Sequence, residues 1–501
     1  MHHHATHRLK VKALGIDTYR ENIIYMRADC PVCVSEGYTS LTRLVIHKGQ
    51  RQIVATLNVV HSNLLSPREA GLSQYAMNSL QVKDGDSIVI THLQPIESLA
   101  MVRAKMYGRE LTETEFDAII SDVVNGSYSN IELAAFIAAC SNDHLTINEI
   151  IGLTKAMIRS GKTIKWGYKQ ILDKHCVGGL PGNRTTPIVV SIIAAAGLAI
   201  PKTSSRSITS PAGTADTMET MAPVNLDLKA IKQVVKKELG CVVWGNAMKL
   251  SPADDILIAI EKALDVDSAG QMIASVLSKK ASAGSTHVLI DIPVGPTAKV
   301  RSHEDALKLE YYFKAVAETI PLKVKVVLTD GTQPVGRGIG PSLEAHDVLA
   351  VLRNDTNAPT DLRERALFLA GNLLEMSEKF DKGKGIALAK DLLNSGKAYQ
   401  KFMSICKAQG VFTEPGVAKY TFDVLAEKSG ILTQIDNRKL ARIAKLAGAP
   451  ASPESGIWLN KKLGDPLKEK ELIFTIHSNS QGEMLYAQNY LQSNPNLFEI
   501  S

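Results

Sequence analysis

The stretch Asp173-Lys-His-Cys-Val-Gly-Gly-Leu-Pro-Gly-Asn-Arg-Thr-Thr-Pro187 decides how the chain is read, together with the apolar Ile188-Val-Val-Ser-Ile-Ile-Ala-Ala-Ala-Gly197 after it. Gly178, Gly179 and Gly182 permit a tight turn with exposed amides, and Lys174, Thr185 and Thr186 add a charge and hydroxyl donors. The apolar run predicts a buried helix, which sets the turn at a helix N-terminus where aligned dipoles favour an oxyanion. A second hydroxyl-rich loop follows in Lys202-Thr-Ser-Ser-Arg-Ser-Ile-Thr-Ser-Pro-Ala-Gly-Thr-Ala-Asp-Thr-Met-Glu219, with Arg206 beside Ser204, Ser205, Ser207, Thr209, Ser210 and Thr214. Two such loops flanking one helix point to phosphate, in a pattern that is neither a Walker loop nor a dinucleotide fingerprint.

Outward from this centre, the chain divides by composition. Residues 1–94 alternate apolar and polar side chains, as in Ile53-Val-Ala-Thr-Leu-Asn-Val-Val60, with a turn signal at Asp84-Gly85, and predict a β-rich N-terminal domain. Residues 95–170 and 251–283 predict a helical domain. Thr112-Glu-Thr-Glu115 and Thr146-Ile-Asn-Glu149 match capping boxes, Leu133, Phe136, Ile137 and Cys140 share one face, and Ser251-Pro252 opens a further helix. That last helical stretch is expected to carry Asp265, Asp267, Ser275, Lys279 and Lys280, which by themselves read as a solvated face. Residues 171–250 and 284–410 alternate strand-like and helical runs and predict an α/β phosphate-binding domain, with a second glycine-rich turn at Asp330 to Gly340. Residues 411–501 predict a β-rich, α+β C-terminal domain.

A length of 501 residues requires several domains. The net charge of 57 − 51 = +6 and an aromatic content of 5% fit small anionic ligands better than a nucleic-acid groove. No apolar run is long enough to span a bilayer, and Met1 to Arg8 lacks a signal-peptide core, so a cytoplasmic protein is expected. Four histidines in that segment read as a polar tail, and six cysteines as thiols; Cys30-Pro-Val-Cys33 has no second pair to complete a zinc site.

Lys174-His-Cys-Val-Gly-Gly179, Gly213-Thr-Ala-Asp-Thr-Met-Glu219, Val266-Asp-Ser268, Ala274-Ser-Val-Leu-Ser-Lys-Lys280 and Gln333-Pro-Val-Gly-Arg337 together resemble the thymidine and pyrimidine-nucleoside phosphorylase family from about residue 96 onward. Pro181 to Pro187 and Thr203 to Thr214 are most similar to its AMP phosphorylase branch. The resemblance implies a helical domain and a large mixed α/β domain with the active-site cleft between them, flanked by β-rich N- and C-terminal domains, and homodimers or larger homo-oligomers. It implies a pentosyltransferase that breaks an N-glycosidic bond with inorganic phosphate as substrate, needing no metal or organic cofactor. No nucleic-acid or membrane partner is expected.

Carried over by position, the phosphate contacts are Lys174, Thr186, Ser204 and Thr214. His175, Ser275 and Lys279 match base-side positions, and Asp267 matches the proton donor of the AMP branch. Gly179, Ser205, Arg206, Ser207, Ile208, Thr209, Ser210, Thr214, Ser275, Lys279 and Lys299 match nucleotide-contacting ones. Two departures bear on the substrate. Ile260 falls where thymidine enzymes carry a base-contacting Arg, and Lys299 falls where they carry an aromatic residue; both favour a nucleoside 5′-monophosphate such as AMP over thymidine. Asp267 is the expected general acid for a purine nucleotide and His175 for a pyrimidine. The rival readings are thymidine phosphorylase, a phosphoribosyltransferase of similar architecture, and a nucleotide-binding protein without catalysis.

Overall fold

The computed structural model describes residues 8–207, 210–245, 250–266 and 268–501. Their contacts form two compact units, Met1–Cys140 with Ile256–Val266, and Ser141–Asp255 with Asp267–Ser501.

In the first unit six strands close into a barrel. Arg8–Ala13 runs parallel to Glu69–Leu72, and Ile23–Arg27 parallel to Arg51–Val60, while Arg43–Lys48 and Ser87–His92 complete the circuit antiparallel. Closure removes the exposed edges that an open sheet of this size would present. Alternation along the strands turns Leu9, Val11, Ile24, Met26, Leu44, Ile46, Ile88 and Ile90 inward. Three helices follow, Ser98–Met106, Glu113–Val124 and Asn130–Ala139. Thr112 and Ser129 cap the last two, each closing a capping box with the Glu three residues on. The Arg43 guanidinium, on a barrel strand, donates to the Ser127 carbonyl at 2.8 Å.

The second unit contains a parallel sheet ordered Lys323–Asp330, His287–Val294, Leu172–Cys176. A bridge from Ile171 to Ala199 continues it to the parallel pair Ile200–Ser204 and Gly240–Trp244. Strands of this kind, buried on both faces, need helices on either side. The helix Thr185–Ala195 is one of them, and ten of its eleven residues are buried. An apolar run with no polar stripe can only be a core helix, and Ile188, Ile192 and Ile193 pack with Leu349, Leu369, Leu373 and Phe402 in the largest cluster. Ile147–Ser160, opened by the Thr146–Glu149 capping box, packs on Ala269–Ser282.

Two antiparallel sheets complete the unit, Gly338–Ile339 with Gly456–Leu459, Leu472–Ser478 and Tyr420–Leu425, and Pro466–Leu467 with Gly430–Ile435 and Phe498–Ile500. The chain is thus a multidomain α/β protein. Among the described residues no helix is long and apolar enough to cross a membrane.

One stretch departs from expectation. The helix expected to run through the charged residues after Ser251 is two helices, Pro252–Leu264 and Ala269–Ser282. Asp265 has φ 52°, a left-handed turn that stops the first, and Ser268 occupies the cap position of the second. Asp265 therefore lies in the connection, and Asp267 lies outside the described residues. Lys280 is 5% exposed, so the solvated-face reading fails for it.

Replacing Thr112 by Ala removes the side-chain acceptor of the Glu115 amide. It should lower the urea-unfolding stability of the first unit by about 1 kcal/mol, while Thr114→Ala, one position inside the helix, should leave it nearly unchanged.

Candidate active site

Several of the candidate residues lie where parallel strands end. Lys174, His175 and Cys176 finish the Leu172–Cys176 strand, and Ser204 finishes Ile200–Ser204 beside it, so both carboxyl ends deliver polar side chains to one edge, as ligand sites in open α/β sheets do. Gly178, Gly179 and Gly182 all have positive φ. At Gly179 this comes with a close approach: a Cβ there would sit 2.5 Å from the Lys299 amide nitrogen, which brings two of the expected nucleotide contacts together. Gly182 pairs with Val335, whose carbonyl accepts from the Asn183 amide at 2.8 Å.

Strand alternation separates two charge systems. On one face Lys174, 2% exposed, donates from Nζ to Thr185 Oγ1 at 2.9 Å, with Asp291 Oδ2 at 3.7 Å, beyond hydrogen-bond range. Asp291 is itself buried and accepts from Thr329 at 2.6 Å through Oδ1, leaving Oδ2 without a hydrogen-bond partner among the described residues. Thr186, 6% exposed, is the second residue of the helix Thr185–Ala195. The Ser204 hydroxyl is buried and has no hydrogen-bond partner among the described residues. Such a group costs free energy unless a ligand satisfies it.

On the other face Asp173 accepts from Lys280 at 2.8 Å and Ser285 at 3.2 Å, and pairs with Lys202 at 3.4 Å. Burial works to raise the Asp173 pKa, but the two ammonium groups outweigh it and hold the carboxylate below its usual range. Burial pushes Lys202 down to about 7 against the pull of Asp173. His175 shares this face. Burial first, then the positive charges of Lys280, Lys202, Lys279 and Lys174, hold its pKa well below the usual imidazole value. His175 is therefore neutral at pH 7. Cys176 is pushed up to about 12 by burial and Asp291, so it is a protonated thiol and a poor nucleophile.

Arg184 joins the two loops. It donates to Glu344 at 2.6 Å, to the Thr214 hydroxyl at 2.7 Å and to the Ala212 carbonyl at 3.0 Å. The backbone at Gly213 touches residues 205–207 so closely that a Cβ there would lie 2.6 Å from the Ser207 amide nitrogen. Asp216 accepts from the amides of Ser207 and Gly213. Arg206, expected to supply a cation to the ligand, instead pairs with Asp216 and Glu219 and lies over the Trp244 ring at 5.0 Å.

Ser205 is exposed and accepts at its carbonyl from the Ala215 amide, and the Ser210 hydroxyl donates to the Ala212 carbonyl. Ser275 and Lys279 sit one turn apart on Ala269–Ser282, where Lys279 pairs with buried Asp254 at 2.9 Å. Ile208, Thr209 and Asp267 lie outside the described residues. The sequence reading missed the roles of Asp173, Arg184, Lys202, Asp291 and Glu344. A usable signal was present in Asp291, a carboxylate inside the largely apolar strand His287–Val294, since such a group is rarely buried unless paired.

Because the folded pKa of His175 is depressed, the unfolded chain binds a proton near pH 6.5 that the folded chain refuses, and stability falls as pH drops through that value. The His175 imidazole resonance, assigned by comparison with His175→Asn, should show no protonation step between pH 8 and 6; a step near 6.5 would contradict this electrostatic account.

Comparison with known proteins places this geometry. Residues 168–399 match the glycosyl transferase family a/b domain, residues 100–161 the helical bundle domain of the same family, and residues 431–496 the pyrimidine nucleoside phosphorylase C-terminal domain. A protein named "Putative thymidine phosphorylase" from Legionella pneumophila (strain Paris) is 56% identical over 487 residues, covering 97% of this chain and 94% of its own. Another of that name from a Polaromonas species is 55% identical over 487 residues, covering 97% and 95%. Anthranilate phosphoribosyltransferase from Thermus thermophilus shares the fold, with a TM-score of 0.52 at 18% identity, over 62% of this chain and 98% of that one. The chain belongs to the thymidine/pyrimidine-nucleoside phosphorylase family and is a pentosyltransferase of the nucleoside phosphorylase type.

Proposed function

We propose that the chain catalyses reversible phosphorolysis of a nucleoside 5′-monophosphate of the AMP type, giving free base and ribose 1,5-bisphosphate. A phosphate oxygen attacks C1′ while the C1′–N bond breaks, its electron pair leaves with the base, and a proton reaches the base nitrogen. The protein must hold an anion against a developing oxocarbenium ion and supply that proton. Lys174 with the Thr185, Thr186, Ser204 and Thr214 hydroxyls is suited to the first task. The observation that carries it is the buried Lys174 ammonium, hydrogen-bonded to Thr185 and only loosely paired with Asp291. Asp267 is the proposed proton donor.

The monophosphate reading draws on Ile260, apolar where a pyrimidine carbonyl would need a donor, and on Lys299, a residue type suited to a 5′-phosphate whose backbone lies against Gly179. A second reading, thymidine phosphorylase, is favoured by the names of the relatives. In either case His175, being neutral, would serve as a hydrogen-bonding imidazole and not as an imidazolium acid.

Release of free base from AMP, CMP, UMP, thymidine and uridine, with and without inorganic phosphate, separates the readings. Phosphate-dependent release from the monophosphates is expected; release from thymidine or uridine alone would transfer the assignment to the second reading. Lys174→Met should lower kcat/KM by about 10²- to 10³-fold, the usual cost of losing one donor to a reacting oxyanion. A smaller loss would remove Lys174 from the phosphate site.

A further inference from the structure

The phosphate turn does not stand alone; it rests on a second loop held from the C-terminal segment. Val335 accepts from the Asn183 amide at 2.8 Å and donates to the Pro181 carbonyl at 3.3 Å, and Gly182 leaves no room for a side chain, since a Cβ would lie 2.3 Å from the Val335 carbonyl oxygen. Pro181 to Asn183 are the residues that lead into Thr185 and Thr186. Whatever fixes residues 333–337 therefore fixes the entry to the helix that bears the site's hydroxyls.

Part of that fixing is near in sequence, since Asp347 Oδ2 accepts from the Arg337 amide at 2.6 Å, and part comes from well over a hundred residues downstream. The Lys462 ammonium donates to the Pro334 carbonyl at 2.7 Å, the Gly336 carbonyl at 2.6 Å and Asp361 Oδ2 at 2.9 Å, which uses all three of its donors. Its two carbonyl partners flank Val335. Asp361 Oδ2 also accepts from the Gly336 amide at 3.1 Å, the Leu463 amide donates to Gln333 Oε1 at 2.8 Å, and the Leu459 amide donates to the Arg337 carbonyl at 2.8 Å. Gly336 has φ +81°, a conformation that must be held by its surroundings. Lys462 is anchored in turn, since Asp465 Oδ2 accepts from its amide at 2.8 Å.

We propose that Lys462 is a positioning residue for the phosphate site: through the Pro334 and Gly336 carbonyls it holds Val335, and through Val335 the turn Pro181–Asn183, in the geometry that receives inorganic phosphate. The inference rests on the reading of that turn as the phosphate site. It gives the C-terminal segment a part in catalysis without contact to substrate. A charge-assisted clamp suits the task, because hydrogen bonds from an ammonium are stronger than neutral ones and the carbonyls it holds belong to a loop without repeating structure.

Lys462→Met should raise KM for phosphate roughly ten-fold while moving KM for the nucleoside substrate less than about two-fold, because displacement of a binding turn weakens the ligand it holds. Hydrogen exchange of the amides in residues 178–186 should quicken in the same variant, a readout independent of turnover. If Lys462→Met does not fold, Lys462→Gln, which keeps two donors and loses the charge, should show the same asymmetry at smaller size. Equal changes in both KM values, unchanged kinetics, or unchanged exchange at 178–186 would each overturn the proposal. Wild-type protein with no phosphate-dependent turnover would instead overturn the functional reading, and exchange alone would then decide the role of Lys462.

Discussion

A full positive charge sealed inside the protein is the constraint from which the rest follows. Lys174 is 2% exposed, and an ammonium so placed is costly unless the surroundings compensate it. Here compensation is incomplete. Asp291 lies at 3.7 Å and Thr185 accepts one hydrogen bond. On the proposed function, the strand, the glycine turn and the core helix would offer an oxyanion reaching this edge of the sheet a charge desolvated in advance. Rigid packing makes this workable: the helix Thr185–Ala195 is buried along nearly its whole length and cannot shift without disturbing the main core.

The opposite face of the same strand carries a second buried charge system with a different task. Asp173 shares its carboxylate between Lys202 and Lys280, so two cations stand against one anion beside His175. Burial first, and then these charges, deny the imidazole its proton, and a residue that sequence alone offers as an acid becomes a neutral hydrogen-bonding group. Arg206 shows the same principle from the other side. Its guanidinium pairs with Asp216 and Glu219 and lies over the Trp244 ring, which ties it to the loop from Ser205 to Ser207.

How much of this was legible in the sequence depended on the range of the interaction. The positive φ at Gly178, Gly179 and Gly182, the core helix after Arg184 and the capping boxes at Thr112 and Thr146 are local consequences of residue type, and each could be read directly. The partners of charged groups could not. Lys174 with Asp291, Arg184 with Glu344 and Lys462 with Pro334 join residues more than a hundred positions apart, and nothing in local pattern chooses among the many carboxylates and carbonyls available. The break at Asp265 was missed because its flanks are both good helix formers, and only the left-handed backbone there marks the end. Closure of the N-terminal strands into a barrel likewise depends on pairings of Arg8–Ala13 with both Glu69–Leu72 and Ser87–His92 that alternation alone does not specify.

On the proposed function, phosphate held at the Lys174 turn is itself the nucleophile. The direct measurement is turnover in inorganic phosphate carrying ¹⁸O at all four positions, followed by mass spectrometry of the sugar product. The phosphate newly bonded to C1′ should retain every labelled oxygen, the bridging one included, because the C1′–N bond is the one broken. Free sugar without label, or a product whose bridging oxygen is unlabelled, would contradict it.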